Sequence, residues 1–187
     1  MNRDMSPMPS PATAVDCTIR RVAAGEAAAW VPALAELLLD CVEGGASVSF
    51  MWPLPGERAA AFWRGVADGV DRGERALIVA VDGDGRLLGT VQLILALPEN
   101  QPHRADIAKM LVHRRARRQG VAARLLTAVD AVAREEGRSV LVLDTVTGGD
   151  AERLYARHGW QRAGAVPNYA LMPDGTPCGT TFMYRQL

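Results

Sequence analysis

The sequence predicts a mixed α/β fold, one sheet with helices packed on both faces. Three observations predict it. Strand-like and helix-like apolar segments alternate along the chain in the order β, α, α, β, β, β, α, β, α, β, β, and such alternation buries helices against both sides of a sheet. Asp82-Gly83-Asp84-Gly85 separates two strand-like runs with tight hairpin chemistry. Val140-Leu141-Val142-Leu143 is a continuous apolar run, as expected of a central strand covered on both faces. With 187 residues, 49% of them apolar, the chain can bury one core and is too short for two domains of ordinary size.

Pro7, Pro9 and Pro11 mark residues 1–16 as a disordered leader, so the expected domain runs 17–187. It begins with a short strand at 17–22 and a helix over about 26–42, whose Trp30, Leu34, Leu37, Leu38 and Cys41 can share a face. Gly44-Gly45 ends this helix. The loop 46–56 carries Ser47, Ser49, Phe50, Met51 and Trp52; it either covers the core or lines an acceptor pocket. A helix over 57–71 follows, then the hairpin strands 76–81 and 87–97, and a strand at 105–112. A helix over 121–136 repeats Val121, Leu125, Ala128, Val129 and Val132 at helical spacing and stops at Gly137. The strand 140–143, a helix over 150–158 closed by Gly159, and two strands flanking the turn Pro173-Asp174-Gly175 complete the chain.

Basic and acidic residues balance at 21 each, so no overall field draws nucleic acid or an anionic membrane. Within 103–118, however, Arg104, Lys109, Arg114, Arg115, Arg117 and Arg118 face only Asp106. A phosphate-bearing ligand explains that cluster, a solvated turn is the plain alternative, and RNA contact ranks last because no aromatic residue interleaves with the arginines. Cys17, Cys41 and Cys178, and His103, His113 and His158, are scattered without metal-ligand or disulfide spacing, and no metal is expected. No secretory or membrane-spanning run is present, which predicts a cytoplasmic protein.

The junction between the strand ending at Val112 and the helix starting at Val121 is a natural anion site. The first N–H groups of a helix have no intrahelical partner, and the helix dipole adds positive charge there. The turn lacks the Gly-Lys-Ser/Thr ending of a Walker A loop and the three glycines of a dinucleotide fingerprint. Arg117-x-x-Gly120-x-Ala122 resembles the pyrophosphate loop of the GNAT N-acetyltransferases, Arg/Gln-x-x-Gly-x-Gly/Ala, and the order of elements is that of their fold. The resemblance covers nearly everything after residue 16. It implies a central, mostly antiparallel mixed sheet and acetyl-CoA as acetyl donor. Leu143-Asp144-Thr145, Leu154-Tyr155, Gly159-Trp160, Pro167-Asn168-Tyr169, Pro173-Asp174-Gly175 and the loop segments Gly44 to Val48 and Phe50-Met51 resemble the group that includes the tabtoxin-resistance acetyltransferase.

The resemblance also implies roles. Met110, Leu111 and Val112 offer strand backbone to the pantetheine amides and a backbone N–H to the thioester carbonyl. Arg117 opens the loop, and the amides of Arg118, Gln119, Gly120, Val121, Ala122 and Ala123 cradle the diphosphate. Ala122 stands where glycine is commoner, Arg114 where proline is frequent, and Gly148 where the family often has a cofactor-contacting asparagine. Tyr155 takes the position of the general acid. The preferred base is Asp144, which ends the most apolar strand and is either near a cavity at the C-terminal edge of the sheet or a buried charge whose pKa burial would raise; Asp106, eleven residues before Arg117, is the second. Ser47, Phe50, Asn168 and Tyr169 are the candidate acceptor contacts. These residues together predict N-acetylation of a primary amine on a small molecule, an amino-acid-like toxin or metabolite, by a monomer or homodimer. A protein N-terminus or lysine is the competing acceptor, and a non-catalytic CoA-binding sensor the competing class.

Overall fold

A computed structural model of the protein describes residues 15–187. The leader expected over residues 1–16 therefore lies outside the described residues, apart from Val15 and Asp16; Val15 packs against the core. The elements are β1 (Thr18–Arg21), α1 (Val31–Glu43), α2 (Gly56–Asp71), β2 (Arg75–Val81), β3 (Leu87–Ile94), β4 (Arg104–Val112), α3 (Val121–Glu135), β5 (Val140–Val146), α4 (Asp150–Arg157), β6 (Gln161–Leu171) and β7 (Pro177–Gln186). Seven strands form one sheet in the order β1-β2-β3-β4-β5-β7-β6. Every neighbouring pair is antiparallel except β4 and β5.

Strand alternation sorts the core into two layers. Ile78, Val91, Leu93, Leu141 and Leu143 point to one face, where Val121, Leu125 and Val129 of α3 and Tyr155 of α4 cover them. Leu77, Val79 and Leu111 point to the other, beneath Leu34, Leu38 and Cys41 of α1 and Trp63, Val66 and Val70 of α2. Helices thus cover both faces, as the alternation predicts. The first helix differs in detail: residues 27–30 form a 3-10 turn, and the α-helix proper starts at Val31 with Pro32 in its first turn. Proline has no N–H to give and suits that position.

Two irregularities shape the middle of the sheet. β4 pairs in parallel with β5 only from Arg104↔Val140 to Asp106↔Val142. Beyond those residues the strands part, so the edge of β4 facing β5 is left open. On the other side the register of β3 and β4 shifts between Thr90 and Gln92, with Gln92 opposite Ala108 and Thr90 opposite Leu111. The extra residue is a β-bulge, and Lys109 sits in it with φ +51°. Gly89 is required beside it, because a Cβ there would come within 2.8 Å of the Leu111 carbonyl oxygen.

β5 is longer than the apolar run suggests. It continues through Asp144, Thr145 and Val146, which pair with Phe182, Thr181 and Thr180 of β7. β3 conversely ends at Ile94 rather than at residue 97.

Candidate active site

The loop between β4 and α3 is built by backbone conformation. Arg118 (φ +62°) and Gly120 (φ +83°) are both left-handed, which turns the chain sharply into α3. Among the described residues, the backbone N–H groups of Arg118 to Ala123 donate to no carbonyl or side chain, and the first bond across the turn runs from Arg124 N to Gly120 O at 3.1 Å. Six donors thus gather at the positive end of a fifteen-residue helix. A Cβ built on Gly120 meets nothing within 4 Å, so the space above the loop is open to a ligand.

The basic cluster before this loop has partners that the local sequence does not reveal. Arg114 donates from its backbone N to Asp40 and from its guanidinium to Asp40 and Glu43 of α1. These bonds hold the Asp40 carboxyl below its ordinary pKa although burial opposes them. Arg115 reaches the Leu87 carbonyl at 3.0 Å and Arg104 pairs with Asp106 at 2.8 Å. Arg117 turns back to the Val112 carbonyl at 3.2 Å, which clamps the end of β4 and occupies one of the backbone groups expected to meet pantetheine. Most side chains of the cluster thus bond within the protein. The exposed Arg118 side chain has no such bond among the described residues.

At the fork, Asp106, Lys109, Asp144 and Tyr155 share one electrostatic neighbourhood. Asp144 is exposed, which leaves the reading of a position at the open edge of the sheet and removes that of a buried charge. The residues alternating with it, Leu141 and Leu143, take the buried side, while α1 and α2 pack over β2 to β4 and leave the opposite side of β5 uncovered. Asp106 is the half-buried carboxylate. Desolvation raises its pKa, Arg104 opposes this, and the charge of Asp144 adds to it. Tyr155 is 5% exposed, and its ring lies 5.6 Å from that of Trp160. Burial first, and then Asp144, push its phenol well above the ordinary tyrosine value. It is both a core aromatic and a hydroxyl kept protonated.

The candidate acceptor contacts border the same open face. The loop between α1 and α2 is tied to the β6–β7 hairpin, since Ser47 Oγ donates to the Leu171 carbonyl at 3.1 Å and Trp52 N to the Pro173 carbonyl at 3.0 Å. Phe50 packs edge-on against Phe62 at 5.3 Å. Asn168 (φ +51°) and Tyr169 lie where the β6–β7 register shifts between Val166 and Ala170, with the Tyr169 ring 5.6 Å from that of Phe182. Sequence reasoning missed Lys109 as a site residue, yet its signal is there: a lysine interrupting the apolar run Ile107 to Val112. Two cavities elsewhere, of about 380 and 460 Å³, are lined by none of Asp106, Asp144 and Tyr155. No helix of the described residues is long and apolar enough to cross a membrane, and no cluster of three metal-ligating side chains occurs among them.

The fold is shared with known proteins. The model of the acetyltransferase (GNAT) family matches residues 31–160. Among solved structures, a GCN5-related N-acetyltransferase from Kribbella flavida is 25% identical, with 91% of this chain and 98% of that chain covered at a TM-score of 0.74. A ribosomal-protein-alanine N-acetyltransferase from Brucella melitensis is 22% identical, with 91% and 99% covered at 0.72. A proposed acetyltransferase from Salmonella typhimurium, solved with its cofactor acetyl-CoA, is 19% identical, with 92% and 94% covered at 0.71.

Proposed function

Because this chain belongs to the acetyltransferase (GNAT) family, we propose that it transfers the acetyl group of acetyl-CoA to the primary amine of a small molecule. The observation that carries the reading is the open edge of β4 leading directly into six backbone N–H groups, Arg118 to Ala123, that have no partner among the described residues. These donors suit a diphosphate, and the left-handed Gly120 leaves room for one. Acetyl-CoA, when bound, supplies an activated acetyl thioester. The β4 backbone from Met110 to Val112 is the expected pantetheine contact, and Arg117 fixes the end of that strand through the Val112 carbonyl.

The chain supplies the proton traffic. Asp106 is the better-suited base: half-buried, with its pKa raised by desolvation and by Asp144, it can take a proton from an ammonium at lower cost than an ordinary carboxylate. Asp144, exposed, adds negative charge that attracts the ammonium. Tyr155, held in its protonated form, is the donor for the departing sulfur.

The bridge from the loop between α1 and α2 to the β6–β7 hairpin narrows the acceptor side, which favours a small acceptor over an extended peptide. The segments resembling the tabtoxin-resistance group support the same choice. A thiol-release assay with acetyl-CoA tests it, using small amines that include tabtoxinine-β-lactam alongside peptides with N-terminal alanine. Turnover of small amines is expected. Turnover of peptides alone would transfer the reading to protein acetylation, and acetyl-CoA binding without turnover of any amine would leave a sensor.

A further inference from the structure

Lys109 lies at the acceptor side of the site, with no carboxylate in ion-pair contact among the described residues. The bulge holds it at φ +51°, a conformation that lysine adopts only under constraint, and so fixes where the side chain leaves the strand. Its Nζ donates to Ser49 Oγ at 3.1 Å and stands 5.6 Å from the centre of the Phe62 ring. Burial lowers its pKa, and the charge of Asp144 is what opposes that shift. Phe62 in turn packs against Phe50, over which Arg58 lies at 5.9 Å. Two cations therefore flank one aromatic pair at the loop side of the open face, while Asp106 and Asp144 stand on the sheet.

A half-buried ammonium resting on a hydroxyl and an aromatic ring is poorly compensated, and it becomes well compensated when an anion arrives. Ser49 accepts from Nζ, which leaves its own O–H free to donate. The pair offers two neighbouring donors, matched to the two oxygens of a carboxylate. We propose that Lys109, assisted by Ser49, binds a carboxylate carried by the acceptor, so that the substrates are amino acids or closely related amino carboxylates. This rests on the reading of the fork as the acetyl-transfer site. The site is bipolar in the sense such a molecule requires: the ammonium goes to the aspartates and the carboxylate to the lysine. A peptide N-terminus presents an amide where the amino acid presents a carboxylate, and it forfeits the second contact.

The test pairs free L-amino acids with their L-amino-acid amides as acceptors in the thiol-release assay, using the full chain and its Lys109→Met, Lys109→Arg and Ser49→Ala variants. The wild type is expected to prefer the acid. Lys109→Met should raise KM for the acid roughly 10- to 100-fold, with kcat and the amide's kcat/KM changed by less than about threefold. Lys109→Arg should recover part of the loss, and Ser49→Ala should show a smaller loss on the acid alone. Acetyl-CoA affinity, measured calorimetrically on each variant, should stay within about twofold and shows that the cofactor side is intact. Equal use of acid and amide by the wild type, or an unchanged KM for the acid in Lys109→Met, overturns the proposal while leaving acetyl transfer standing. No thiol release from any acceptor removes the acetyl-transfer reading and this proposal with it.

Discussion

Replacing Gly120 with leucine separates binding from stability at the loop before α3. Gly120 has φ +83°, and a Cβ there meets no atom within 4 Å, so the folded protein bears backbone strain and no clash. That strain costs about 1 to 2 kcal/mol, which for a chain of this size lowers Tm by about 2 to 8 °C. The ligand bears a larger cost. On the diphosphate assignment the side chain takes ligand space beside the N–H groups of Arg118 to Ala123, and displacement of two hydrogen bonds to a charged acceptor forfeits about 3 to 6 kcal/mol. Acetyl-CoA affinity should fall by at least about 10²-fold. Calorimetric titration gives the affinity and a thermal melt gives the stability. A folded variant that binds acetyl-CoA within threefold of wild type would refute the diphosphate assignment.

Further outcomes follow from the fork and its surroundings. Tyr155→Phe should lower kcat by roughly 10² with acetyl-CoA affinity nearly unchanged; unaltered turnover removes the acid role. A base must be deprotonated, so activity should fall as pH drops through the raised pKa of Asp106, and Asp106→Asn should abolish that acidic limb. Asp144→Asn removes the like charge that raises Asp106, and should move the limb to lower pH; loss of the limb in this variant alone would assign the base to Asp144. The Asp40 carboxyl is held below its ordinary value by Arg114. Its contribution to stability is present above the unfolded pKa near 3.9 and is lost as pH falls through the lower folded value. Asp40→Asn should therefore destabilise the protein by about 1 to 2 kcal/mol at neutral pH and flatten its acid melting profile; an unchanged profile would remove the linkage.

Local chemistry made most of the fold legible. The Asp-Gly hairpin, the apolar run from Val140 and the glycines after helices each act within a few residues, and each appears where expected. The bulge at Lys109 was not visible, because it depends on how β3 and β4 pair rather than on either strand alone. Which of its two settings Asp144 takes was open for the same reason: whether the end of an apolar strand is covered depends on which helices reach it. The partners of the arginines were illegible because Asp40 and Glu43 lie about seventy positions away. The sharp turn into α3 could be read because a left-handed backbone leaves its mark in a residue such as Gly120.

The most direct test is calorimetric titration of the protein with acetyl-CoA, with free acetate as control. Stoichiometric binding of acetyl-CoA and none of acetate is predicted, since the six N–H groups before and within the first turn of α3 have a diphosphate to meet only in the former. Absence of acetyl-CoA binding by the folded protein would contradict the account at its base.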